Sequence, residues 1–273
     1  MKILIPILFI LLANISFSQS QYERITHSSV TRWRFSADDE AAIGIITNPA
    51  TLGLDRQTDL WYTTVTKEKR FLEHNFFVQT PFLFGNFGAT YRKAFDDVAK
   101  NSADAYGFGF GVGSSSFSVG FFTDYVASKT EAVTLSNLGF LYQPSGTFSL
   151  SYVIKNINEP STPTTIFAQE QTFGISIRPA SSERIVLFAD VLTERNRWYN
   201  ANLHLGVKYK LNAVSLLYVS YFDQRNESNK LYSLGIRFLF SQSTLFGIVT
   251  SGQNTFPETS LGAHITNSNE EER

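Results

Sequence analysis

Eight charged or titratable side chains are placed where they could line a pore. Each lies in or beside a run in which apolar and polar residues alternate, on the polar side of that run. Such side chains could form a constriction that selects solutes, or they could pair with one another across a filled interior. The sequence leaves both alternatives open for these lumen-facing candidates: Arg92, Asp124, Lys155, Arg178, Asp190, His204, Lys208 and Arg237.

The sequence patterns give no sign of catalysis, a metal site or a cofactor. The glycines of Tyr106–Gly113 alternate with period two, whereas a dinucleotide loop needs G-x-G-x-x-G between a strand and a helix. We interpret them as a thin stretch of wall against which another segment, such as the N-terminal one, packs closely. No G-x-S-x-G elbow occurs. Close ligand spacing is also missing among the four histidines, His27, His74, His204 and His264.

Composition narrows the class of protein. The chain has 273 residues, of which 43% are hydrophobic, 15% aromatic and 17% charged, and its formal net charge is −1. This balance excludes a generic basic nucleic-acid binder. The absence of cysteine excludes disulfides, thiolate metal sites and a cysteine nucleophile.

The first 18 residues have the three-part layout of a secretory signal. Lys2 supplies the positive start, residues 3–12 are almost entirely apolar, and Ser16 and Ser18 are small residues at the spacing of a cleavage site. The alternative is an uncleaved anchor, but a helical span needs about 20 apolar residues. We therefore expect a signal peptide over residues 1–18 and Sec-type export.

Period-two alternation dominates the rest of the chain. The run from Asn200 to Asn212 is the clearest, since its apolar and polar residues fall on opposite faces of a strand. About fourteen such runs lie between residues 59 and 266, which leaves about 15 residues for each strand and its connection. A tilted membrane-spanning strand needs about 9–11 residues.

The two faces of these strands differ in a way that favours lipid outside and polar groups inside. One face carries Phe, Tyr, Leu and Val, and the other carries Gly, Ser, Asn and isolated charges. Because backbone groups in hydrocarbon must be paired, a closed barrel is the only spanning solution for strands. We predict an all-β, transmembrane antiparallel β-barrel over residues 59–266, with outer-membrane lipid around it; the alternative is a secreted soluble β-sandwich. Tyrosines near strand ends suit interfacial girdles: Tyr62, Tyr91, Tyr125, Tyr142, Tyr209 and Tyr221.

Residues 19–58 lack this alternation and form a separate leader. Ser36 could cap a short helix whose first turn contains Asp38, Asp39 and Glu40. The run Asn48–Gly53 would end that helix and start a tight turn, with Gly53 free to take positive φ. This leader either wraps the rim of the barrel or enters its lumen as a hatch. The residues of the predicted hatch motif are Asn48, Pro49, Ala50 and Gly53.

Several short motifs resemble those of one group of outer-membrane barrels. The run Ser36–Ala42 followed by Asn48–Gly53 resembles the "ADDA…NPAGLG" opening of the long-chain fatty-acid transporters, the PorV-type secretion barrels, and the barrel domains joined to signal peptide peptidase in some bacteria. The last are the most similar, and the resemblance extends over residues 36–222. Four more segments also resemble motifs of these barrel domains: Leu138–Pro144, Tyr152–Pro160, Thr172–Pro179 and Leu187–Asp190.

The resemblance implies an N-terminal hatch, fourteen strands and passive transport of hydrophobic or amphiphilic small molecules across the outer membrane of a Gram-negative-type bacterium. An alternative that it also implies is a non-transporting scaffold that docks a periplasmic secretion or peptidase partner. The chain departs from the group at Thr51, where glycine is usual, and at the charged tail of residues 267–273, where a terminal aromatic is common. Residues 267–273 contain no peptidase motif, so we do not expect the peptidase chemistry of the fused relatives here.

Overall fold

A computed structural model describes residue 25 and residues 32–38, 41–54, 57–95, 102–163, 166–179, 184–195, 201–224, 229–252 and 255–267. Within these ranges, alternating sequence produces fourteen strands. They are β1 (Thr58–Lys67), β2 (Arg70–Phe82), β3 (Gly85–Phe95), β4 (Ser102–Gly113), β5 (Phe117–Ala127), β6 (Ala132–Ser145), β7 (Phe148–Lys155), β8 (Glu170–Ile177), β9 (Ile185–Glu194), β10 (Asn202–Asn212), β11 (Ser215–Gln224), β12 (Asn229–Leu239), β13 (Ser243–Gly252) and β14 (Thr255–Asn267).

The strands form one closed antiparallel barrel. Each strand pairs with its neighbours in sequence, and β1 pairs with β14 in a register that sets Trp61 opposite His264. Closure pairs the strands that would otherwise be sheet edges. The predicted fourteen-strand barrel is therefore confirmed, and the β-sandwich alternative is wrong.

The outer face of the barrel is apolar. On β4, for example, Phe108 and Phe110 are 53% and 37% exposed, while the glycines between them face the interior. A water-soluble sheet would bury such side chains, whereas a lipid-facing sheet exposes them. This outward belt is the feature that marks the barrel as a transmembrane fold.

A collar of aromatic side chains bounds the belt on one side. Tyr91 and Tyr106 face each other on β3 and β4, with ring centroids 5.3 Å apart, and two residues farther along the same strands Lys93 pairs with Asp104. Aromatic rings favour the interface between hydrocarbon and water, and the ion pair lies beyond it. The collar continues in register on neighbouring strands through Tyr62, Phe76 and Tyr125, and again through Tyr221 and Tyr232.

The two rims of the barrel differ. The terminal rim, where β1 begins and β14 ends, has mostly short turns, such as residues 83–84 and 213–214. The opposite rim, called the distal rim here, carries the longest connection, residues 156–169 between β7 and β8. Short turns on one side and longer loops on the other are typical of outer-membrane barrels.

Two short helices lie inside the barrel: α1 (Ala41–Gly44) and a 3-10 helix (Pro49–Gly53). No helix among the described residues is long and apolar enough to cross a membrane.

Two local predictions about this segment are wrong. Ser36 does not cap α1, because the helix begins five residues later and the Ser36 hydroxyl instead donates to Asp190 on the wall. Asp39 and Glu40 lie outside the described residues. Gly53 does not adopt positive φ; it is glycine for reasons of space, since a Cβ there would lie 2.6 Å from the carbonyl oxygen of Val112.

Candidate functional site: the hatch and the lumen

Residues 32–38 and 41–54, together called the hatch here, cross the lumen and close it. Nearly all of these residues are buried, although the barrel itself could enclose a pore. Their contacts reach strands on every side of the wall. They include Arg32 with Glu258 on β14, Trp33 with Phe246 on β13, Phe35 with His204 on β10, Ser36 with Ser151 on β7, Asn48 with Phe140 on β6 and Leu52 with Asn86 on β3.

The 3-10 helix rests on a patch of wall without side chains, called the glycine seat here. A Cβ at Gly120 would lie 2.0 Å from the carbonyl oxygen of Pro49, and one at Gly111 would lie 2.6 Å from Cβ of Leu52. Such distances exclude any larger residue unless the hatch moves. The seat consists of Gly88, Gly109, Gly111, Gly120 and Gly139 on β3–β6.

This arrangement explains the alternating glycines of β4. Gly109 and Gly111 contact the hatch, so the predicted close approach of another segment is confirmed for them. Gly107 has a different role, because the space beside it holds the side chains of Phe122 and Asp124.

Asn48 joins the two parts of the hatch to the wall. Its Nδ2 donates to the carbonyl oxygen of Ser36 at 2.8 Å and to that of Phe140 at 3.2 Å. Its Oδ1 accepts from the backbone N–H of Ala50 at 3.0 Å, which caps the 3-10 helix. Pro49 follows at the first helical position, where its missing N–H has no cost. One fully buried side chain therefore fixes three segments at once.

Residues 32–38, called the arm here, are held mainly by side chains. The Asp190 carboxylate accepts from the backbone N–H of Ser36 at 2.8 Å and from its hydroxyl at 2.9 Å. Asp38 lies 3.2 Å from Arg34 and 3.7 Å from Lys208, measured between charged atoms. The arm thus spans a polar part of the lumen.

Aromatic stacking adds to these polar contacts. The ring of Phe35 lies between Phe188 and His204, with centroid distances of 4.8 Å and 4.0 Å. Trp33 packs at 5.4 Å against Phe246. These rings fill the lumen that the polar contacts span.

The eight lumen-facing candidates fall into three groups. Asp190, His204 and Lys208 meet at the arm, as described above. Arg92 and Asp124 form a buried ion pair, and the Arg92 guanidinium also donates to the carbonyl oxygen of Ile25 at 2.6 Å.

Two of the remaining candidates lie apart from these clusters, and the third, Lys155, lines the same cavity as Arg92 and Asp124. Arg178 donates to the Ser149 hydroxyl at 3.3 Å, and the Arg237 guanidinium lies 5.0 Å from the ring centroid of Trp61. Lys155 lines the cavity described next.

A cavity of about 260 Å³ lies between the hatch and the β7–β8 connection. Ile46 of the hatch and residues 166–168 of the connection both line it. The walls mix apolar and charged side chains: Phe122, Leu135, Arg92, Asp124, Asn137, Lys155, Asn156, Glu170 and Glu194. Within the described ranges, no group of three or more His, Asp or Glu residues could hold a metal ion.

Sequence reasoning missed several residues that hold the hatch. Asn86 donates to the carbonyl oxygen of Leu52 at 2.6 Å, and Ser151 shares a hydrogen bond with Ser36 at 2.6 Å. The two pairs are separated by 34 and 115 residues. A buried Asn or Ser on an alternating strand carries no signal that names so distant a partner.

Comparisons with known proteins agree on the fold alone. No protein-family model matches the sequence, and no curated protein matches it. Among solved structures, the toluene transporter TodX of Pseudomonas putida superposes with a TM-score of 0.58 at 13% identity, over 87% of this chain and 96% of that one. The outer membrane protein Omp33 of Acinetobacter baumannii gives a TM-score of 0.55 at 8% identity, over 79% of this chain and 100% of that one. The chain therefore has the fold of outer-membrane β-barrels.

Proposed function

We propose that this protein lies in the outer membrane and allows passive transport of hydrophobic or amphiphilic small molecules, with the hatch as its gate. The lipid-facing belt, the aromatic collar and the barrel fold support the location. The TodX-like fold and the resemblance of the hatch motif support the class of solute.

The observation that supports the hatch as a gate is that its two parts, the 3-10 helix and the arm, contact the wall in different ways. The 3-10 helix lies flush on the glycine seat and leaves no space to pass. The arm lies on a polar part of the wall, where it is held by hydrogen bonds to charged groups, each worth roughly 1.5–3 kcal/mol net, and by the packing of Trp33 and Phe35. Water can replace the polar contacts when the arm moves away. The arm is therefore the part that moves, and the path opens between it and strands β7–β11.

A disulfide staple tests this gate in a chain that has no cysteine of its own. The two Oγ atoms of Ser36 and Ser151 are 2.6 Å apart, so the variant S36C/S151C places two thiols within reach of each other. In proteoliposomes we expect the oxidised variant to block uptake of a fluorescent fatty acid and dithiothreitol to restore it.

A second staple provides the control. The hydroxyl oxygens of Ser233 on β12 and Thr250 on β13 are 2.8 Å apart, so S233C/T250C ties two paired wall strands together instead of tying the arm. We expect oxidation of this variant to leave uptake unchanged. Equal uptake by oxidised and reduced S36C/S151C would contradict the moving arm, and absence of uptake by every form would contradict transport.

The filled lumen also favours a second candidate, a non-transporting scaffold that docks a secretion or peptidase partner. A scaffold needs no open path, and the hatch contacts the wall of the barrel on every side described above. This function predicts that a partner protein co-purifies in detergent. It also predicts that neither disulfide variant, in its reduced form, takes up the fluorescent fatty acid.

A further inference from the structure

The cavity above the hatch contains polar atoms that lack partners. Among the described residues, the half-buried Lys155 side chain makes no direct hydrogen bond or ion pair, and the charges of Glu170 and Asp190 act on its ammonium only from a distance. Arg92 Nε and Asp124 Oδ1 also lack hydrogen bonds, and both of these side chains are only 3% exposed. Buried polar atoms without hydrogen-bond partners are costly, so these two atoms beside the Lys155 ammonium indicate a missing ligand.

The charges around the cavity determine what that ligand can be. Lys155 and Arg92 offer cationic donors, while Asp124, Glu170 and Glu194 offer carboxylates. Glu170 is paired in register with Lys155 on one side and with Glu194 on the other. A simple anion would be attracted by the two cations and repelled by three carboxylates, whereas a head group with both signs of charge can satisfy both sets.

Apart from Asn137 and Asn156, the remaining residues that line the cavity are apolar. Phe122, Leu135 and Phe167 face it from the wall and the connection, and Ile46 faces it from the hatch. A volume of about 260 Å³ has room for a short hydrocarbon chain but not for a long one. A ligand seated there would touch the hatch directly through Ile46.

We infer that this cavity binds a small zwitterion with an apolar body, such as an aliphatic amino acid, with its carboxylate at Lys155 and its ammonium at Asp124. This inference rests on the proposed transport function and narrows its amphiphilic class. The site lies at the distal rim, so it is the first site a solute entering there would meet.

Calorimetric titration of the detergent-purified protein tests the inference with three probes of similar length: norleucine, hexanoate and hexylamine. We expect norleucine to bind more tightly than either singly charged probe. The variant K155M keeps the length of the side chain and removes its charge, so it should weaken norleucine binding at least about tenfold, because a charge-assisted hydrogen bond is lost. The variant K210M changes a lysine on β10 that does not line the cavity and should bind like the wild type.

A second variant, L135W, fills the cavity and should abolish binding of norleucine. Heat-modifiable gel mobility establishes that each variant retains the folded barrel. Absence of norleucine binding to the wild type, tighter binding of hexanoate, or unchanged binding in K155M would each overturn the inference. Transport is tested separately by the S36C/S151C variant. If norleucine does not bind but this variant shows gated uptake, the zwitterion site is wrong and the transport function is retained. If norleucine binds but no form of the variant shows uptake, the barrel binds the ligand without transporting it.

Discussion

Asn48→Asp is the substitution that tests the hatch most sharply, because it changes one atom at the junction of three segments. The variant keeps Oδ1, which accepts from the backbone N–H of Ala50, and replaces the Nδ2 donor by an oxygen. That oxygen then faces the carbonyl oxygens of Ser36 and Phe140, which Nδ2 otherwise contacts at 2.8 Å and 3.2 Å. The cap of the 3-10 helix survives while its links to the arm and to β6 are lost.

The expected size of the effect follows from these two hydrogen bonds. Each is worth about 0.5–1.5 kcal/mol net, and a buried carbonyl left without a donor costs about 1–3 kcal/mol. We expect docking of the hatch to weaken by about 3 kcal/mol, which corresponds to a roughly 150-fold larger undocked population. The ladder hydrogen bonds of the barrel do not involve Asn48, so the barrel should remain folded.

Two measurements check this expectation. In planar bilayers, N48D should show channel openings far more often than the wild type. In detergent, limited proteolysis should cleave the hatch of N48D faster than the hatch of the wild type. The control N212D changes an exposed turn asparagine whose Oδ1 accepts from Val214, a role that Asp retains, so it should behave like the wild type. If N48D forms a folded barrel that conducts no more often than the wild type and resists protease equally well, Asn48 does not hold the hatch in place.

Two further substitutions test the seat and the belt. In G120A the new methyl group would overlap the carbonyl oxygen of Pro49, so we expect a displaced hatch and raised bilayer conductance. The control G146A adds a methyl group where nothing lies within 4 Å and should leave conductance unchanged. Equal conductance of the two variants would argue against the glycine seat. The variant F110R places a charge in the middle of the lipid-facing belt and should cost about 2–4 kcal/mol in urea unfolding from lipid vesicles. A127R, which lies beyond the collar on β5, should cost far less, and equal stability of F110R and A127R would contradict the membrane placement.

The barrel was predictable from the sequence because its signal is local and repeated. Alternation with period two fixes which residues face outward, and the strand count follows from how many alternating runs the chain contains. Tyr91 and Tyr125 could be placed near an interface for the same reason. These features require no knowledge of which residues meet across the lumen.

The contacts of the hatch were not predictable, because they depend on distant partners. Ser36 has the local signature of a helix cap, yet two stronger acceptors and donors on the wall, Asp190 and Ser151, lie within reach once the barrel closes. A helix cap contributes about 1 kcal/mol, and a hydrogen bond to a buried carboxylate contributes more. Tertiary contacts therefore override the local preference at this residue.

The glycine seat and the hatch depend on each other for stability. Glycine within a strand lowers stability by roughly 0.5–1 kcal/mol relative to alanine, and five such residues lie together on β3–β6. An empty barrel would carry that cost without compensation and would gain by replacing them. The hatch offsets the cost, since its 3-10 helix packs Leu52 and Pro49 directly onto the exposed backbone. The wall on this side is therefore shaped to fit the 3-10 helix. On the opposite side Asp190 and Lys208 hold the arm, and these polar groups would be exposed to water in the open state that we propose.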